Sequence, residues 1–141
     1  MDENKKSIKV LVVGCGNMGS SHALAYHAMQ DKFEICGLVS TGKSKDVLNN
    51  RLGNSYPLYE DYEKALNDTN PDAVCISTYP DTHEQYAIKA FDKGCHVFVE
   101  KPIADSVEGA ERVVKAAKQA NKKLVVGYIL RHHPSWEKFI E

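Results

Sequence analysis

Apolar residues fall in short continuous runs separated by stretches whose apolar positions recur at helical spacing, and this alternation is repeated along the whole chain. The runs over 8–13 (IKVLVV), 33–39 (FEICGLV), 73–77 (AVCIS), 96–99 (HVFV) and 124–128 (LVVGY) predict strands buried on both faces. A weaker stretch, 56–59 (YPLY), contains Pro57. Proline is tolerated at a sheet edge, so this stretch predicts an edge strand.

Between the runs, residues 18–29 place Leu24, Ala25, Ala28 and Met29 on neighbouring turns, as a helix lying on a sheet requires. A short helix follows through Val47, Leu48 and Leu52, with Ser44 as its cap and Gly53 as its left-handed stop. Residues 61–67 predict another, before a turn at Asn70, Pro71 and Asp72. From about Thr82 to Gly94, Tyr86 pairs with Ala90 and Ala87 with Phe91. Residues 106–121 form the clearest helix: Val107, Ala110, Val114 and Ala117 share one face, while Glu108 with Arg112 and Glu111 with Lys115 sit four apart on another. Apolar strands alternating with amphipathic helices predict a doubly wound parallel sheet of about six strands with helices on both faces. Its expected order is 3-2-1-4-5-6.

Composition narrows the function classes. The 141 residues suffice for one core. With 18 basic and 19 acidic side chains, the net charge of −1 gives no global field directed at nucleic acid or a membrane. The opening MDENKKSIK has no long apolar segment behind it, so it reads as neither signal peptide nor membrane anchor, and the cytoplasm is the expected location. Cys15, Cys36, Cys75 and Cys95 lie far apart without a C-x-x-C pair, and read as reduced, mostly buried side chains with no metal role.

The first strand runs into Gly14, Cys15, Gly16, Asn17, Met18 and Gly19, a G-x-G-x-x-G turn leading into a helix. In a dinucleotide site one glycine makes the turn, one lets the backbone approach a pyrophosphate, and one lets helix and strand pack closely. The helix start, with Asn17 and Met18, would hold the phosphates through free N–H groups. The second strand ends 21 residues after Gly19 at Ser40, followed by Thr41 and Lys43, where an NAD-selective site would usually present a carboxylate. Hydroxyls and a cation suit a 2′-phosphate, so NADP(H) is favoured over NAD(H). Residues 37–44, GLVSTGKS, also match the P-loop pattern literally. Gly37 lies inside the apolar run, however, and Leu38 and Val39 would be wasted on a polyphosphate, which disfavours a P-loop NTPase.

Ligands in such a sheet lie beyond the carboxyl ends of the strands. The fourth strand ends in Ser77, Thr78, Tyr79, Pro80, Asp81, Thr82 and His83. Asp81 and Thr82 suit capping of the next helix, and His83 is equally a surface or capping histidine or a ribose contact. The fifth ends in Glu100, Lys101 and Pro102. A residue before proline is held out of helical geometry, so Lys101 projects from the strand end. There a partly desolvated lysine could take or donate the proton of an alcohol and carbonyl pair.

The stretch HVFVEKPIA, the turn GCGNMG, the segment STYPDTH and VGYILRHHP resemble, in the same order, the glucose–fructose oxidoreductase, inositol dehydrogenase and MocA family. The resemblance implies a Rossmann domain over 1–129 and NAD(P)-dependent oxidation or reduction of a sugar, cyclitol or related hydroxyl compound, with Lys101 as the proton-handling lysine. It implies that Ser77, Thr78, Tyr79, Pro80, His83 and Glu100 border the cofactor and that the Lys101–Pro102 bond can be cis. Family members continue into a second domain that carries most of the substrate pocket. Residues 130–141 accordingly read as the start of a connection, with His132 and His133 as linker or interface residues. An isolated 141-residue chain is then expected to bind cofactor and turn over little, and a full-length form to be a possible homo-oligomer. The alternative is a non-catalytic NADP(H)-binding sensor or subunit.

Overall fold

The structure is a computed structural model that describes residues 6–128 together with Pro134, Ser135 and Lys138. His132 and His133 lie outside the described residues. Strands β1 (Ile8–Val13), β2 (Phe33–Val39), β3 (Leu58–Tyr59), β4 (Ala73–Ile76), β5 (His96–Glu100) and β6 (Leu124–Gly127) form one sheet in the order β3-β2-β1-β4-β5-β6. Every pairing is parallel. Pro57 precedes the two-residue edge strand β3, where its carbonyl still accepts from the Leu38 N–H. The expected doubly wound topology is therefore the observed one.

Two cores flank the sheet. Leu11, Val13, Val74, Ile76, Val97 and Val99 point towards α3 (Tyr62–Thr69), α4 (Pro80–Asp92) and α5 (Val107–Ala120), meeting Leu66, Phe91 and Val113. Val10, Val12, Ile35 and Cys75 point the other way, towards α1 (Asn17–Ala28) and α2 (Ser44–Arg51), meeting Ala23 and Leu48. Each buried strand thus supplies both cores alternately, which is why its sequence reads as an unbroken apolar run. Gly37 is buried within β2, against Leu11 and Tyr59, so the literal P-loop match lies across a strand and not in a phosphate-binding loop.

Several helix details differ from expectation. On α5 the buried face is Gly109, Val113 and Ala117, while Val107 is 71% exposed and Val114 also faces outwards. The helix turns its small residues inwards because α4 lies close: a Cβ on Gly109 would stand 3.1 Å from Glu84 Oε1 and from Ala104 Cβ. Arg112 reaches across to Glu84, with its Nε at 2.8 Å from Oε1, so it serves the α4–α5 contact. On α1, Gly19 and Ala23 are buried, whereas Ala25 and Ala28 are exposed. Val47 of α2 is exposed too. Ser44 is the first helical residue of α2 and makes no cap; the Ser40 hydroxyl accepts the Lys45 N–H instead, at 3.1 Å. Helix α4 starts at Pro80, a residue already suited to a first turn, so Asp81 and Thr82 lie inside the helix and do not cap it.

Cys15, Cys75 and Cys95 are free and buried. Burial pushes the Cys75 thiol up to about 12 and those of Cys15 and Cys95 up to about 11, from an ordinary 9.0. The folded chain therefore holds these protons more tightly than the unfolded chain. Their contribution to stability is complete below pH 9 and is lost as the pH rises from 9 through 11 to 12. Urea titrations at pH 6.5, 7.5 and 10.5 are expected to give equal midpoints at the first two and a clear fall at the third; a midpoint unchanged at 10.5 contradicts the assignment.

Candidate functional site

The chain reverses its direction of travel across the sheet between β1 and β4, and the carboxyl ends of these strands open a crevice. A cleft of about 570 Å³ lies there, lined by Gly14, Gly16, Ser40, Thr41, Ser77, Thr78 and Tyr79 among others. The glycine turn owes its shape to separate demands at each position. Gly14 has φ +93°, and a Cβ on it would stand 2.5 Å from the Ser77 carbonyl oxygen. At Gly19 a Cβ would stand 1.8 Å from the Gly14 carbonyl oxygen. Gly16 differs: a Cβ there would meet no protein atom within 4 Å. Gly14 and Gly19 are required by the fold, whereas Gly16 keeps open a space that the protein itself does not fill.

That space adjoins the amino end of α1. Its cap, Gly16, supplies no side-chain hydrogen bond, and no acidic residue occupies the first turn. The first-turn N–H groups of Asn17, Met18 and Gly19 and the positive end of the helix are thus available to an anion. Below them, Ser77 Oγ is a buried side-chain oxygen with no conventional hydrogen bond among the described residues, the weakly bonding Cys75 thiol beside it. A buried hydroxyl so poorly paired costs about 1–3 kcal/mol. Glycine cradle, uncapped helix and poorly paired hydroxyl together fit a dinucleotide whose pyrophosphate lies over the turn.

At the end of β2 the hydroxyl of Ser40 is already engaged, since it also donates to the Gly42 carbonyl at 3.2 Å. Thr41 borders the cleft, while Lys43 is exposed and stands outside its lining. Lys45, which sequence reasoning passed over, is only 6% exposed and donates to the Gly42 carbonyl at 2.6 Å. Asp46 and Glu60 carboxylates each lie 3.7 Å from its ammonium group. Glu60, Tyr62 and Tyr86 join the cleft wall, contributed by the crossover from β3 into α3 and by α4.

The other predicted residues occupy the neighbouring strand ends. Tyr79 is 82% exposed at the cleft margin, and Pro80 begins α4. His83 is 1% exposed, so the surface reading fails. Its Nδ1 lies 2.7 Å from the Pro102 carbonyl oxygen and its Nε2 3.0 Å from that of Thr78. Glu100 is 7% exposed, with Oε1 2.6 Å from His22 Nε2 on α1. Lys101 is exposed, and the peptide bond that joins it to Pro102 is cis. His83, Glu100 and Lys101 stand outside the lining of the glycine cleft, beyond the adjacent β4 and β5 ends.

Comparison with known proteins supplies the deciding observation. The family model described as "Oxidoreductase family, NAD-binding Rossmann fold", GFO_IDH_MocA, matches residues 8–128. The chain belongs to this family. An inositol 2-dehydrogenase of Paracoccus denitrificans is 27% identical over 132 residues, which cover 92% of this chain and 39% of that protein. A scyllo-inositol dehydrogenase from Lactobacillus casei, solved with NAD(H) and scyllo-inositol, superposes with a TM-score of 0.85 at 28% identity, over 95% of this chain and 40% of that one. The WlbA dehydrogenase from Bordetella pertussis, solved with NADH and UDP-GlcNAcA, gives 0.80 at 28% identity, over 86% and 35%. This family member thus spans well under half the length of these relatives. Among the described residues no helix is long and apolar enough to cross a membrane.

Proposed function

We propose that the chain is the cofactor-binding domain, over residues 1–129, of an NAD(P)-dependent oxidoreductase acting on a sugar, cyclitol or related small hydroxyl or carbonyl compound, with 130–141 leading towards a substrate domain. The observation that carries this reading is the unfilled space over Gly16, bounded by the uncapped start of α1 and the poorly paired Ser77 hydroxyl. Gly14, Gly16, Asn17, Met18 and Gly19 would hold the pyrophosphate, and Thr78 and Tyr79 would border the nicotinamide half. A bound nicotinamide cofactor supplies the hydride chemistry. The chain's own contribution is placement, together with a proton carried by Lys101 at the β5 end. Relatives named for inositol, and one solved in complex with the nucleotide sugar UDP-GlcNAcA, support a polyhydroxylated substrate.

The preferred dinucleotide in this proposal is NADP(H). Residues 40–45 contain no carboxylate, Thr41 borders the cleft, and the exposed Lys43 is the cation free to meet a 2′-phosphate, Lys45 being held by the Gly42 carbonyl and the Asp46 and Glu60 carboxylates. Glu60 opposes a 2′-phosphate from the cleft wall, and the two superposed relatives hold NAD(H) or NADH. Calorimetric titration of the 141-residue chain with NADPH, NADH and Mg·ATP separates the possibilities. NADPH is expected to bind several-fold more tightly than NADH, and ATP weakly. Equal or tighter binding of NADH overturns the NADP(H) preference alone, whereas binding of neither dinucleotide overturns the whole reading.

A further inference from the structure

Lys101 stands between two residues that are each anchored by a histidine from an opposite face of the sheet. On the α1 face, His22 meets the Glu100 carboxylate at 2.6 Å, and its ring lies edge-on to Phe98 with centroids 4.7 Å apart. The carboxylate is pressed against β6, where a Cβ on Gly127 would stand 2.8 Å from Glu100 Oε2. Glu100 is therefore enclosed between helix and edge strand. On the α4 face, His83 bridges the carbonyl oxygens of Pro102 and Thr78. A carbonyl oxygen only accepts, so an N–H of this ring donates to one of the two oxygens while the other ring nitrogen packs against the second. His83 thereby joins the strand end that borders the cofactor cleft to the segment that follows Lys101.

We propose that His22 and His83 are a pair of positioning residues that fix Lys101 relative to the cofactor cleft, one through the Glu100 side chain and the other through the Pro102 carbonyl. Neither ring needs to touch substrate. The proposal rests on the reading of Lys101 as the proton carrier, and it adds the means by which an exposed lysine after a strand end keeps a defined origin. A misplacement of about 1 Å at a reacting group can cost on the order of 100-fold in rate, so a two-sided anchor has a clear consequence.

Backbone 15N order parameters of the 141-residue chain test the clamp without any substrate. His22→Ala and His83→Asn are each expected to lower the order parameters of Lys101, Ile103, Ala104 and Asp105 from about 0.85 to below about 0.6 while leaving β1 and β2 rigid. His22→Gln, whose amide can still donate to Glu100, is expected to restore the ordered values. Order parameters that stay unchanged at 101–105, that fall uniformly along the chain, or that His22→Gln fails to restore overturn the clamp. Should His83→Asn not fold, the His22 pair of variants decides the matter. In a full-length form the same variants are expected to lower kcat by about 10- to 100-fold with little change in dinucleotide Kd. A Lys101→Ala form that keeps full turnover would instead defeat the proton-carrier reading and leave the order-parameter result standing.

Discussion

Gly19→Ala is expected to abolish dinucleotide binding and to lower the melting temperature, whereas Gly16→Ala is expected to abolish binding alone. The contrast follows from what each new Cβ would meet. At Gly19 it would stand 1.8 Å from the carbonyl oxygen and 2.7 Å from the carbonyl carbon of Gly14. Both are backbone atoms, so relief requires α1 to move away from the end of β1, taking the first-turn N–H groups with it. Overpacking of this kind costs about 1–3 kcal/mol, and a clash with rigid backbone belongs at the upper end. For a domain of this size that corresponds to a fall on the order of 5–10 °C. At Gly16 the added methyl would meet nothing in the protein and would instead enter the space assigned to the pyrophosphate. Thermal denaturation and NADPH titration of the two variants check both halves. Undiminished binding by Gly16→Ala would remove the pyrophosphate from that space.

The sheet was legible because its strands serve two cores at once. A segment such as Val10–Val13 is apolar at every position because both its faces are buried, and its shortness, β-branched content and the glycine turn behind it mark a strand and not a helix. Pro57 marked the edge for an equally local reason, the missing N–H. Helix faces were harder to read, since α5 contains apolar or small residues over more than one arc and its inward arc is chosen by the approach of α4. Gly109 signals that approach, but a glycine in a helix carries no information about which neighbour comes near. The result was a stripe through Val107 and Val114 that the fold leaves exposed.

The site divides in the same way. Gly14, Gly16, Gly19 and the strand-end residues were legible because a parallel sheet puts every strand's carboxyl end on one edge. Lys45, Glu60, Tyr62 and Tyr86 were missed, since they reach the cleft region from helices and crossovers whose packing has no local spacing signal. The histidine contacts were equally hidden. His22 and Glu100 are 78 residues apart, and both partners of His83 are main-chain oxygens, which are the same at every position of a sequence. Lys43 was visible as a charge near Ser40, but the carbonyl and carboxylates that surround Lys45 were not.

Lys101→Ala in a full-length form is expected to reduce kcat by about 100- to 10,000-fold, the usual worth of a positioned acid or base. Dinucleotide affinity is expected to stay within about twofold, because Lys101 lies outside the lining of the glycine cleft. This split distinguishes a proton carrier from a cofactor ligand, whose loss would weaken binding. In a non-catalytic NADP(H) sensor there is no turnover to lose, and the substitution would leave dinucleotide affinity unchanged. Lys101→Arg is the informative companion, since a guanidinium preserves charge and reach but cannot be deprotonated in a protein. It is expected to be nearly as inactive as the alanine form. The measurement is the initial rate of nicotinamide absorbance change with the polyol or sugar that the unaltered form oxidises. Activity retained by Lys101→Arg would make charge rather than proton transfer the contribution of this lysine, and the pair of histidines around it would then position a cation for binding substrate.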